Sequence, residues 1–329
     1  MKNLGISIIA VVILLMLPIG AAAAEWYSLL TVALPYGALT VFLLGFIYRV
    51  LLWAQSPVPF RITTTCGQEK SLPWIRTNSL ESPSGLFGVI GRMALEILLF
   101  RSLFRNTGAE ILEKRPVYGS AKWLWLFGLL LHWSLLFILL RHLRFFVEPI
   151  APFINALSAF DGLFETGVPT LYLSDLVFLT AATALFLRRV VLVRVRYFSL
   201  PQDYFPLLLL LCTAGSGILM RHFTKVNLIK VKELATGWVS FSPVIQEGIG
   251  PLFSIHLFLV CTLLVWFPLS KLMHMGGIFL SPTRNLANDN RMRRHLNPWD
   301  APVRVHTYEE YEDEFRDKMK TAGLPVERE

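Results

Sequence analysis

Charge is scarce in this sequence: 16% of its 329 residues are Asp, Glu, Lys or Arg, against 54% hydrophobic. Soluble domains run nearer about 25% charged, so the composition is that of a membrane protein. Cysteine is scarcer still. Cys66, Cys212 and Cys261 stand singly, with no CxxC and no CxxCH. That excludes a zinc ribbon, a self-contained iron–sulfur site and covalently attached c-type haem. GxGxxG, Walker, HExxH and GxSxG patterns are missing too, and with them the usual nucleotide, zinc-protease and hydrolase chemistries. Carboxylates at membrane depth come down to Asp175. A proton-coupled transporter usually needs more of these, or helices interrupted by Gly and Pro near the midplane.

What the chain does have is long apolar runs. Six approach or exceed the ~20 residues that span a bilayer: roughly 4–24, 27–53, 122–147, 171–190, 204–223 and 248–273. The first also resembles a secretory signal peptide, with a basic start and an AAAA stretch, but its apolar core is long and we read it as an uncleaved helix. The fold expected is an all-α integral membrane protein of six transmembrane helices. Its parts are an extra N-terminal helix (1–26), a bundle (27–275) that includes a cytoplasmic loop over 54–121, and a cytoplasmic tail (276–329).

Positive charge sets the orientation. The net charge is +8. Arg and Lys crowd the 54–121 loop, the stretch after segment four (Arg188, Arg189, Arg194, Arg196) and the tail, while 148–170 has none. The positive-inside bias then places both termini in the cytoplasm, with 224–247 (Lys225, Lys230, Lys232) dissenting. Nucleic acid is not needed to explain the charge. Within the loop, FGVIGRMALEILLFRSLFR (87–105) predicts an amphipathic helix at the membrane surface or against a partner. The polar tail reads either as solvated chain or as an arm that orders on a partner.

Seven histidines are present, and four lie at membrane depth: His132, His142, His222 and His256. Ionisable residues there are rare and usually functional. A b-type haem is held by axial imidazoles from facing helices, and two such haems need four. His132 and His142, ten residues apart, sit about 15 Å apart along one helix; they cannot share an iron but suit two stacked haems. Depth pairs His132 with His256 and His142 with His222. Arg141, Arg144 and Arg221 neighbour the outer pair and could neutralise propionates. His274 reads as an interfacial cap with Lys271, Cys212 and Cys261 as packing residues, and Cys66 stays unassigned.

These residues resemble the membrane cytochrome b, or gamma, subunit of respiratory nitrate reductase, and more closely the DsrM-type subunit of the DsrMKJOP complex. FLLGFIYRVLLWA resembles that family's first core helix, the ten-residue histidine spacing its next helix, and IHLFLVCTLLVWFPLSKLMHM its last. SPVPFRITTTCGQEKSLPWI and GGIFLSPTRNLANDN resemble the DsrM branch. The resemblance implies a five-helix dihaem bundle with two haem b and menaquinone as cofactors. It sets His256 on the proximal haem and makes His274 a non-ligand. GWVSFSPVIQEGIG lacks the histidine expected for the distal haem, so His222 serves instead, or that haem is absent or differently ligated. The implied partner is a cytoplasmic iron–sulfur subunit resembling heterodisulfide reductase's catalytic subunit, in a DsrMKJOP-like complex of dissimilatory sulfur metabolism. A quinone would dock near His142, Arg144 and His222. Alternatives are a cytochrome b of another respiratory complex (nitrate, hydrogen or heterodisulfide), or a transporter or anchor without haem.

Overall fold

A computed structural model describes residues 2–56, 67–112, 114–162, 172–245, 249–291, 302 and 304–328. Cys66 and His295 lie outside the described residues. Helix α1 (Lys2–Ala23) is followed by a π-helical turn and α2 (Leu34–Ala54). The connecting piece holds α3 (Leu86–Leu99), α4 (Arg101–Arg105) and an antiparallel hairpin of β1 (Thr107–Leu112) and β2 (Arg115–Ser120). Next come α5 (Lys122–His142), α6 (Pro152–Asp161), α7 (Leu173–Val191), α8 (Val193–Phe198), α9 (Pro201–Ile218) and α10 (Leu228–Val239). The chain closes with α11 (Pro251–Trp266), the short α12 (His274–Gly277) and α13 (Pro282–Asn285), and α14 (Tyr308–Thr321).

Five helical runs are long and apolar enough to cross a membrane: Lys2–Ala23, Leu29–Ala54, Lys122–Phe145, Pro201–Thr224 and Pro251–Leu269. The sixth expected span, α7, packs between α5 and α9 and carries its charges, Asp175, Arg188 and Arg189, in its first and last turns, with an uncharged stretch between them. Helices can cross hydrocarbon because every backbone N–H and C=O is satisfied within the element. Their hydroxyls follow suit by bonding back one turn: Ser134 donates to the Leu130 carbonyl at 2.6 Å and Thr213 to that of Leu209 at 2.8 Å.

Packing runs from α5 to α7, α7 to α9, α9 to α11 and α11 to α2, and α1 lies against both α9 and α11. Ser7 and Asn3 anchor α1 by donating to the Pro201 and Ser199 carbonyls, each at 3.0 Å. One buried cluster joins Leu131, Phe178, Ala181, Ala182 and Leu210. Another centres on Ala38, Leu234, Phe253 and Leu257. These two clusters leave α5 and the α11–α12 run to carry the histidines towards each other.

The amphipathic stretch 87–105 is two helices, because Phe100 takes a left-handed conformation (φ +49°) between α3 and α4. Trp125 and Trp133 of α5 donate their indole N–H to the carbonyls of Leu99 and Leu98, at 2.7 and 3.0 Å, which seats the end of α3 on the bundle. Arg92 is buried, and its guanidinium donates to the carbonyls of Glu81, Arg284 and Leu286. Burial pushes that guanidinium below its ordinary pKa. The described part of the loop after α2 and the segment after α11 are thereby one interlocked unit. The hairpin has no counterpart in the sequence reading.

Candidate functional site

His132 lies midway along α5. Its Nδ1 is 2.7 Å from the Gly128 carbonyl, and its ring meets Phe100 edge-on at 4.9 Å between centroids. Across from it stands His274, ring to ring at 5.8 Å and near-perpendicular. His274 in turn bonds the Lys271 carbonyl through Nδ1 at 2.9 Å. Ten residues on, His142 closes α5, with Nδ1 2.7 Å from the Ile138 carbonyl. His256 stands five residues into α11. Its Nδ1 is 3.0 Å from the Thr213 carbonyl and 3.0 Å from Ser216 Oγ.

A carbonyl can only accept, so in all four rings Nδ1 carries the proton and Nε2 the lone pair. That is how a protein fixes the tautomer and orientation of a metal-binding imidazole. His132, His142 and His274 keep exposed rings. Gly217 passes close beneath His256: a Cβ there would sit 3.2 Å from its Cε1. The donor set therefore suits iron held between paired imidazoles.

The neighbours differ from those expected. Helix depth paired His132 with His256, whereas His274 is the ring set against His132. The apolar run 248–273 predicts one continuous span, with His256 at middle depth. In the structure α11 starts only at Pro251, five residues before His256, so His256 lies near the same end as His142. At the other end α11 stops at Trp266. Pro268, which has no N–H to continue a helix, opens two 3-10 turns (Phe267–Leu269 and Lys271–Met273) that deliver His274. His222 lies in the π-helical turn Leu219–Thr224 that ends α9. The signal for His274 was available: it follows His256 by eighteen residues, five turns of an ideal helix.

Arg141 is also placed otherwise. It is buried and paired with two carboxylates, Asp161 at 3.0 Å and Asp175 at 2.7 Å. Asp161 is itself buried and accepts from the Ser174 N–H and hydroxyl, each at 2.7 Å. Arg141 is thus committed to protein groups rather than free for a propionate. Its guanidinium lies 3.8 Å from the Tyr172 ring centroid, and Arg221 lies over the same ring at 4.0 Å while donating to its hydroxyl. Arg144 falls in the 3-10 turn Leu143–Phe145 beyond His142. Among the described residues no cluster of three or more His, Cys, Asp or Glu is arranged to hold a metal ion, consistent with sites built from two imidazoles each.

Comparison with known proteins supplies context. Residues 83–294 match the nitrate reductase gamma subunit family. An Hdr-like menaquinol oxidoreductase cytochrome b-like subunit of Archaeoglobus fulgidus is 47% identical over 279 residues, 82% of each chain. The protein of the same name from Archaeoglobus profundus is 41% identical over 275 residues, again 82% of each.

Proposed function

The chain belongs to the nitrate reductase gamma subunit family, and we propose that it is the membrane cytochrome b of a menaquinol oxidoreductase of Hdr-like type. The observation that carries the reading is the set of four imidazoles, His132, His274, His142 and His256, each with Nδ1 held by a backbone carbonyl, the first two set ring to ring. His132 and His274 would hold one haem b, His142 and His256 a second. Bound haem supplies a one-electron carrier whose potential the protein tunes through ligands, charge and burial. The chain's own part is to present Nε2 of each ring, fix its tautomer and keep water from the pair. His222, expected as the fourth ligand, lies in the π-helical turn that ends α9, five residues beyond the Gly217 that faces His256. Arg221 and Arg144 are the guanidinium groups left to meet propionates there.

The orientation follows from charge: both termini and the hairpin end lie in the cytoplasm. Electrons then pass between menaquinol at the His142 end and an iron–sulfur subunit at the hairpin end. That subunit resembles the catalytic subunit of heterodisulfide reductase, in keeping with the names of the two relatives. The interlocked loop and post-α11 unit is the surface on which it would dock. The DsrM-like stretch GGIFLSPTRNLANDN in that unit favours a role in dissimilatory sulfur metabolism.

Haem per polypeptide, measured by pyridine haemochrome beside a reduced-minus-oxidised spectrum, tests the reading. Two b-type haems are expected. None, in protein made with ample haem, refutes it and leaves an anchor or transporter. Subunits that co-purify identify the complex: an iron–sulfur protein without a sulfur-linked partner would remove the DsrM-like assignment and keep the cytochrome.

A further inference from the structure

Arg49 stands five residues from the end of α2, inside the apolar span Leu29–Ala54. Gly45, Phe46, Arg49 and Trp53 follow at helical spacing and face the run that carries His274. A Cβ on Gly45 would sit 2.8 Å from Pro268, and the rings of Phe46 and Trp53 lie against Gly276 and Gly277. The exposed side chains of α2, Leu44, Ile47, Tyr48 and Leu51 among them, occupy the remaining surface. Arg49 is therefore held in an inward stripe. Its Nε is buried and makes no hydrogen bond, and its guanidinium lies 5.6 Å from the Trp53 ring centroid. Among the described residues no carboxylate pairs with it.

A guanidinium taken out of water without an anion is costly in a membrane, and its planar fork matches a carboxylate through two parallel hydrogen bonds. We propose that Arg49 binds a propionate carboxylate of the porphyrin held by His132 and His274. This rests on the haem reading above. Arg49 acts here as a positioning residue: it fixes one edge of the macrocycle, and its charge favours the reduced haem.

The test is a redox titration of both haems in the full chain, with Arg49→Gln and Arg49→Lys beside wild type and phospholipid per polypeptide measured in each. His274→Ala identifies which haem belongs to which pair. Arg49→Gln is expected to lower the midpoint of the His132–His274 haem by about tenfold in its reduction equilibrium, 59 mV for a one-electron couple. The other haem stays unmoved, and Arg49→Lys, which keeps charge without the fork, falls between. Unchanged midpoints with lost phospholipid would overturn the proposal in favour of a lipid headgroup. Unchanged midpoints alone would overturn it outright. If Arg49→Gln does not accumulate, an unaltered midpoint and propionate vibration in Arg49→Lys does the same. Absence of this haem from wild type would refute the haem reading first, and the proposal with it.

Discussion

At the hairpin end, His132 and His274 are surrounded by rings and backbone: Phe100 at 4.9 Å, the Gly128 and Lys271 carbonyls, and α3 seated by two tryptophans. At the opposite end, His142 has charge on several sides: Arg141 and Arg221 sandwich Tyr172, and Asp161 and Asp175 neutralise Arg141. The ligand chemistry is the same at both. What differs is whether dipoles or full charges surround it. In low dielectric a full charge acts over longer range than a dipole, so two haems held as proposed, by identical imidazoles, would differ in potential without any change of ligand. The charged end does a second job, because Asp161 and Asp175 tie α5, α6 and α7 together through one guanidinium.

The sharpest way to break the comparison is to remove one ligand from each end. His274→Ala should leave one haem per polypeptide, that of the charged end; His256→Ala should leave the other. His222→Ala should leave both, and loss of a haem in that variant would restore the pairing expected from helix depth. Next in size is the ionic network. Asp161→Ala leaves the buried Arg141 with Asp175 alone, and removing one partner of a buried pair costs up to about 3–5 kcal/mol. Denaturation in detergent should show that loss, with the hairpin-end haem retained longest. Equal loss at both ends would mean that the network supports the whole bundle rather than one site.

The asymmetry explains what was legible in the sequence. Long apolar runs fix the spans, and the ten-residue spacing of His132 and His142 marks two levels on one helix. Both depend on local periodicity, which a sequence displays directly. The partner for His132 is only half legible: the step of eighteen residues from His256 to His274 keeps one face of an ideal helix, but whether His274 meets His132 depends on where that helix stops. Pro268 ends α11, and the turns that follow decide that His274 faces inward. Arg141 was misread for a related reason: its partners Asp161 and Asp175 come from other helices, and only packing brings them to it. Arg49 went unremarked inside the apolar run of α2. The β-hairpin, six exposed residues on its second strand, carries no buried face and so left no alternation to read.

A finer probe sharpens the charged end. Gly217→Ala would place a Cβ 3.2 Å from His256 Cε1, whereas Gly215→Ala meets nothing within 4 Å. Both replace glycine within α9, which favours the folded state by up to about 1 kcal/mol. Gly215→Ala should therefore stabilise without spectral change. Gly217→Ala should tilt the ring and shift the spectrum of the charged-end haem alone. Identical spectra for the two would show that His256 has room to move, and that Gly217 serves only the packing of α9 on α11.

The smallest effect expected is acid-driven and should spare both ends. In the tail, Thr307 and Glu310 form a capping box that starts α14, and Glu312 accepts the N–H groups of Glu327 and Arg328, each at 2.9 Å. Those donors hold its carboxyl below the ordinary glutamate range. A carboxyl depressed in the folded state contributes in full above its unfolded pKa, and the contribution fades as pH falls through the folded one. Amide protection at Glu327 and Arg328, referred to the intrinsic exchange rate at each pH, should fall as pH drops below the ordinary glutamate range, and Glu312→Gln should show the weaker protection at neutral pH as well. Neither haem spectrum should follow, because the contacts that Glu312 makes, with Arg316, Glu327 and Arg328, all lie within the tail. A hairpin-end spectrum that moved in step with that exchange would join the tail to that end, and the comparison would then be between a gated site and an ungated one.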